Sequence, residues 1–355
     1  MPLPKLSPLT LLATAAALTL TGCPPPETET CEPLTTDPGA PAWETILGED
    51  DLDGAVLSVW GAAPEQVFIA GGPLGNPNRT SLAWRYDACG WKDLAPGGAE
   101  TFWWVSGTSA TDVWFVGENG RIAHYDGDAM TDVPSGVTAT LWGTFAFAPD
   151  DAWAVGGTPD GGPTKPNDIV LHYDGTKWTP EALPGAPLGV SLFKVWGTSS
   201  DDLFVVGEQG TIWHRTSAGW ALETSDPPLT GSRLFTVHGC SGTDVFAVGG
   251  QSVLHRDAGG WSTVDISLGN QVNGVSCGPA GSAAIVGFGG LKQRLVGGAW
   301  LDEFDSEPYD NLHATWADGE GAFWAVGGDF LTGPKDAKRK GVVARYGPTG
   351  VIRGK

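Results

Sequence analysis

A chain of 355 residues with 53 Gly, 27 Pro and 17 Trp combines many tight turns with many large apolar side chains, a pairing that suits short strands. Its formal charge of −21 excludes a phosphate-neutralising nucleic-acid binder and general adhesion to anionic lipid, and solubility is the first use of so much acid. No long helix-forming stretch rich in Ala, Glu, Lys and Leu follows residue 22, so an all-β class is expected.

Residues 1–22 differ from the rest. Lys5 provides a small basic head, and the apolar run Leu9–Leu20 is shorter than the ~20 residues that span a bilayer. "LTGC", Leu20 to Cys23, follows directly. This arrangement resembles the lipobox of bacterial lipoproteins. The resemblance implies removal of residues 1–22, acylation of Cys23, and a membrane anchor of two or three chains at ~0.8 kcal/mol per buried methylene. Pro24 rather than Asp follows the cysteine, which in the familiar sorting rule favours the outer membrane or cell surface. Residues 23–40 are Pro-, Thr- and Glu-rich and read as a tether without a core.

From residue 41 onward the chain repeats itself. An apolar tetrad closed by glycine recurs seven times, at Gly71, Gly117, Gly156, Gly207, Gly249, Gly287 and Gly327. Ten residues before it stands Gly61, Gly107, Gly197, Gly239, Cys277 or Ala317; the third copy departs, with Gly143 thirteen residues before and "FAFAPDD" read as extra length. Each unit reads as four strands: an apolar first strand, the tetrad strand, a third strand of the "RIAHYD" kind, and a fourth headed by Trp91, Trp178, Trp220, Trp261 or Trp300, with Met130 in the second copy. Continuous apolar runs mean that both sheet faces are covered. An Asp turn (Asp112, Asp151, Asp202, Asp244) precedes the tetrad, and "GENG" or "GEQG" follows it. Radial repetition of such sheets is a β-propeller. The units resemble those of bacterial propellers built from WGTSxxDVWAVG and HYDGxxW repeats, over about residues 41–350.

Residues 41–355 are therefore expected to form a seven-bladed β-propeller of four-stranded antiparallel blades. The seventh unit ends without a fourth-strand Trp, whereas "AWETIL" (Ala42–Leu47) precedes the first unit as an orphan strand. Closure of the ring by this N-terminal strand is the economical solution. The rival is a self-sufficient seventh blade with Val351 in its fourth strand.

Four cysteines besides Cys23 form an even set for an oxidising compartment. Cys240 and Cys277 occupy like places on consecutive first strands and are expected to pair; Cys31 would then meet Cys89. His124, His172, His214 and His255 share one column of the third strand with Arg85, Arg294 and Arg345. Sheets ~10 Å apart cannot share an ion through bonds of ~2 Å, so the column reads as polar capping, with no metal and no cofactor expected. "YDGTKW" (Tyr173–Trp178) is similar to the Asp-box of sialidases but one residue short, and most arginines sit in repeat columns. No catalytic residue is assigned.

The first strand carries Trp60, Trp142, Trp196 and Trp316 in one slot, with His238 in the fifth copy; interblade packing explains them first. "FWWV" (Phe102–Val105) is the richest place for an aromatic platform, so Phe102, Trp103, Trp104 and His238 are the candidate ligand residues. "GEDDLDG" (Gly48–Gly54) lacks calcium-loop spacing and reads as a solvated acidic loop. The basic cluster Pro334–Gly341 is either a hairpin tip or a lipid-headgroup contact. The functional expectation is a monomeric, lipid-anchored envelope module that binds a protein or glycan. The alternative is a glycoside hydrolase or lyase with its site at the channel mouth.

Overall fold

The computed structural model describes residues 38–355 except 186–187, 225–227 and 332–337, together with Met1, Leu34 and Asp37. Among the described residues the strands form seven four-stranded antiparallel sheets. Their inner strands are Ala55–Ala63, Phe102–Ser109, Leu141–Ala148, Leu192–Ser199, Thr236–Ser241, Val272–Cys277 and Leu312–Ala317. In the first six blades the chain steps outward from the inner strand through three neighbours before entering the next blade. No described helix is long and apolar enough to cross a membrane; residues 2–33, where the signal segment and Cys23 fall, lie outside the described set.

The apolar tetrads become second strands buried on both faces, as their uninterrupted hydrophobicity requires. The core is divided among the blade junctions. Phe68 of blade one meets Phe102 and Phe115 of blade two, and Trp153 of blade three meets Leu192 and Val205 of blade four. Each sheet is thus stabilised chiefly by its neighbours.

The polar columns tie each blade internally. His124, His172, His214 and His255 each place Nε2 on the turn aspartate of their own blade, Asp112, Asp151, Asp202 and Asp244, at 2.7 to 2.9 Å. Each ring also lies against the aromatic residue of the second strand, with centroids 4.0 to 4.4 Å apart. In blade seven Arg345 occupies the histidine position and pairs with the buried Asp318 at 3.6 Å. The "GENG" and "GEQG" segments are tight turns in which Asn119 and Gln209 take φ of 56° and 57°. Their glutamates accept the backbone N–H that precedes an inner strand: Thr101 to Glu118 and Ser191 to Glu208, both at 2.8 Å.

The N-terminal strand (Pro41–Leu47) completes the last blade, pairing with Gly341–Pro348. Trp43 sits opposite Tyr346, the register in which Trp91 faces Tyr86 and Trp178 faces Tyr173. Its indole N–H donates to Glu303 of blade six, just as Trp261 of blade five donates to Glu223 of blade four. The N-terminal strand is therefore an ordinary outer strand of its blade.

The third unit is not longer than the others, which corrects the sequence alignment. Phe145 faces Trp153 as Trp60 faces Phe68, so Phe145 rather than Trp142 fills the inner-strand slot, and Ala146 takes the glycine position. The physical reason lies in the preceding blade. Where that blade offers Trp316, Trp60 or Trp196, a Cβ at Gly61, Gly107 or Gly239 would strike the indole. Where it offers Ser106 or Ser276, the next blade has Ala146 or Ala317, whose N–H donates to the serine Oγ at 3.1 and 2.9 Å. Tryptophan meets glycine at three junctions and serine meets alanine at two, while His238 of blade five meets Cys277 of blade six.

Cys240 and Cys277 form the expected disulfide between the ends of inner strands five and six, with Cα atoms 5.0 Å apart. Cys89 is disulfide-bonded as well, and Cys31 lies outside the described residues. The acidic loop Gly48–Gly54 and the basic cluster meet each other. Lys340 lies 3.3 Å from Glu49, Lys338 lies 3.9 Å from Asp53, and Arg79 joins at 2.9 Å. The described part of the cluster, Lys338 to Gly341, thus faces the acidic loop at the end of the blade where inner strands begin.

Candidate functional site

Every inner strand carries a β-bulge near its start. Register skips one residue between Val56 and Ser58, Phe102 and Trp104, Leu141 and Gly143, Leu192 and Lys194, Val272 and Gly274, and Leu312 and Ala314. In blade five Phe235 precedes the paired Thr236 and donates to the Val248 carbonyl. A bulged residue is released from strand alternation and re-aimed. Here the re-aimed side chains are Trp103, Trp142, Phe193, Phe235, Asn273 and His313, and all six line one cavity of about 220 Å³ at the channel mouth. Leu57, the bulged residue of blade one, is fully buried, and its carbonyl accepts from His313 Nδ1.

The aromatic rings touch in series. Trp103 meets Trp142 edge-on at 4.5 Å, Trp142 meets Phe193 at 6.0 Å, and Phe193 meets Phe235 at 5.6 Å. On the other side His313 lies 5.8 Å from Trp103 and 5.1 Å from Phe330, which stacks on Phe288 at 5.7 Å. The gap in this wall, between Phe235 and Phe288, is held by Asn273, whose amide is turned onto the Leu312 carbonyl at 2.8 Å. The rim adds Pro159 from the long insertion of blade three and Arg233, which is paired with Asp160 at 2.5 Å and Glu208 at 3.3 Å.

Lys194 lies at the boundary between this mouth and the channel below, lining both. Its Nζ donates to the Trp142 carbonyl at 2.7 Å and sits 4.0 Å over the Trp104 ring. Burial pulls its pKa down from 10.5 to about 7. Below it, Trp60, Trp104, Phe145, Trp196 and Trp316 reduce the channel to a residual space of about 40 Å³. His313 is held down to about 3 by burial and by the neighbouring Lys194, and His238, in the lower space, to about 4 by burial. Both rings are neutral at physiological pH.

The four candidate platform residues separate in the structure. Trp103 is in the mouth wall, Trp104 lies under Lys194, and His238 sits deeper, where its Nδ1 accepts from Cys277 N at 3.2 Å. Phe102 is fully buried against Phe115 in the junction of blades one and two, and turns no face to the mouth; that expectation is corrected. From the sequence Trp142 reads as an interblade packing residue, and Phe193, Phe235, His313 and Lys194 are not singled out. A signal for them exists: the bulged residue always stands fourteen positions before the tetrad glycine.

A second polar cluster occupies the junction of blades four and five. Burial would raise the Glu223 pKa, but hydrogen bonds from His214, Arg256 and Trp261 bring it down to about 2. The same carboxylate, together with Asp202, raises His214 against its own burial. Glu223 thus accepts from His214 of its own blade and from Arg256 and Trp261 of blade five, and the cluster ties the two blades together.

No protein-family model matches the chain, and no similar curated protein was found. Solved structures share the fold. A streptogramin B lyase superimposes with a TM-score of 0.65 at 14% identity, covering 86% of this chain and 97% of the lyase. YCF48 bound to D1 peptide gives 0.63 at 14%, over 87% and 99% of the two chains. The WD40 β-propeller domain of Doa1 gives 0.62 at 11%, over 85% and 96%. At these identities the likeness is one of fold alone.

Proposed function

We propose that this chain is a receptor propeller of the bacterial envelope, anchored through acylated Cys23, whose aromatic mouth binds a ligand. The single observation that carries the reading is the ring of bulges. Five blades use the same backbone irregularity to turn an aromatic or imidazole ring into one cavity. Mere packing does not need this, since the channel beneath is already filled by a separate set of aromatic slots. The cavity is concave and mainly apolar with a few convergent polar groups, as small-ligand sites are. A glycosidase needs two carboxylates, and the lining among the described residues contains none. YCF48 bound to D1 peptide is an instance of a similar propeller holding a peptide.

The topology supports an outward-facing mouth. Inner strands start at the mouth face, and Pro41 pairs with Pro348 at the opposite face. The described chain therefore enters the propeller on the side away from the cavity. Cys89 lies in an outer hairpin turn on that same far side, which suits a Cys31–Cys89 bridge.

Two measurements test these parts separately. On glycan and peptide arrays, Trp103→Ala combined with Trp142→Ala is expected to weaken every retained signal about tenfold or more. Glu65→Gln, exposed on the far face, should leave the signals unchanged; equal loss in both variants would overturn the mouth as the site. Cys23→Ala is expected to abolish incorporation of labelled fatty acid in cells, and undiminished labelling would refute the anchor.

A further inference from the structure

The mouth holds a cation without a counter-ion. Lys194 is 4% exposed, and both of its partners, the Trp142 carbonyl and the Trp104 ring, are uncharged. An ammonium has three N–H groups, and one of Lys194's is hydrogen-bonded to the protein. Among the described residues no carboxylate lies within ion-pair distance of it, although the chain has 41 acidic residues against 20 basic ones. The rim acids Asp160 and Glu208 are both paired with Arg233. Other internal basic groups are treated differently: Arg345 has Asp318, Arg294 has Glu303, and the buried Lys292 donates to two carbonyls, Gly290 and Pro308. A buried, uncompensated charge is costly and persists where something offsets it.

The geometry points to a ligand that supplies the missing charge: a flat aromatic molecule carrying one anionic group, its ring against Trp103, Trp142 and Phe193 and its anion on Lys194. This inference rests on the mouth being the binding site, and adds the chemical class. The wall accounts for the apolar part, because ring edges and faces at 4.5 to 6.0 Å form a continuous aromatic lining. The cavity of about 220 Å³ suits a two-ring body. Over the neutral pH range Lys194 is the group that titrates there. His313 and His238 stay neutral, and the rim cation Arg233 is already engaged by two carboxylates, Asp160 and Glu208, so it offers an anion less than Lys194 does.

The test uses an isosteric pair, naphthalene-2-sulfonate and naphthalene-2-sulfonamide, titrated into the full propeller by calorimetry. At pH 6 the sulfonate is expected to bind about tenfold more tightly than the sulfonamide. Between pH 6 and 8.5 its affinity should fall about tenfold as Lys194 loses its proton, while the sulfonamide is unaffected. Lys194→Met should bring the two probes to equal affinity, and Lys194→Arg should keep the preference; sulfonamide binding shows that each variant is folded. Equal binding of both probes to the wild type, or a preference that survives in Lys194→Met, would overturn the charge assignment and leave the mouth standing. Failure of both probes to bind the wild type would overturn the mouth itself as an aromatic receptor, and this inference with it.

Discussion

Trp43→Ala is expected to lower the unfolding free energy by about 3 kcal/mol, the lower end of the range for truncating a large aromatic side chain. The residue is half-buried, so the full value for a core tryptophan does not apply. Three contacts are lost together. The indole meets Tyr346 edge-on at 5.8 Å, packs against the cluster of Val286, Leu312, Ala325 and Val342, and donates to Glu303. Trp43→Phe should keep most of the packing and lose only the hydrogen bond, at a cost of about 1 kcal/mol. Arg294 remains on Glu303 in that variant, so the carboxylate is not stranded. The effect should also be local. Hydrogen exchange in Trp43→Ala is expected to quicken along 41–47 and 341–348 before any other strand pair opens, because these two segments close the ring. An unchanged urea midpoint, or exchange that quickens uniformly through the blades, would show that the latch lies elsewhere.

That the last blade is completed from the N-terminus was readable because the missing element and the surplus one are both conspicuous: no fourth-strand Trp after Gly347, and one orphan Trp before the first unit. The Asp and His columns were likewise legible, since a hairpin fixes their spacing; their direct bond to each other was not, because it depends on strand pairing. The slot residues were misaligned in the third copy for an instructive reason. "WG" at Trp142–Gly143 imitates the Trp60–Gly61 pair, yet at Gly61, Gly107 and Gly239 the glycine makes room for a tryptophan projected by the preceding blade. Blade two projects Ser106, so blade three has no need of glycine and carries Ala146. The identity of a residue here is set by the blade before it, a neighbour some 40 positions away in the chain. The ring of bulges escaped for a different cause. All blades bulge at the same place, so the repeat spacing stays constant and the irregularity leaves no gap in an alignment. Periodicity alone assigns those residues to a strand face, and only the register shows that they leave it.

Lys194→Met is expected to make the propeller more stable at pH 7 and below, by ~1–4 kcal/mol, the range found when buried ionic groups give way to apolar ones. The direction follows from the proton balance. Unfolded, the amine titrates near 10.5; folded, burial holds it at about 7. Below about pH 7 both states carry the charge, and the folded state bears the whole cost of desolvating it. Between about 7 and 10.5 the folded state has shed its proton while the unfolded state still holds one, so wild-type stability climbs with pH. Above 10.5 the amine is neutral in both states and the cost is gone. The advantage of the methionine variant should therefore shrink steadily as urea denaturation is repeated from pH 7 to pH 10. Methionine keeps the length of the side chain and a favourable contact with the Trp104 ring, and the loss it brings is one donor to the Trp142 carbonyl, about 1 kcal/mol. A variant less stable than the wild type at pH 7 would mean that the ammonium is a net support of the channel. A variant more stable but indifferent to the sulfonate would mean that the fold tolerates an unfavourable charge at the floor of its mouth, and that the compensation arrives with the ligand.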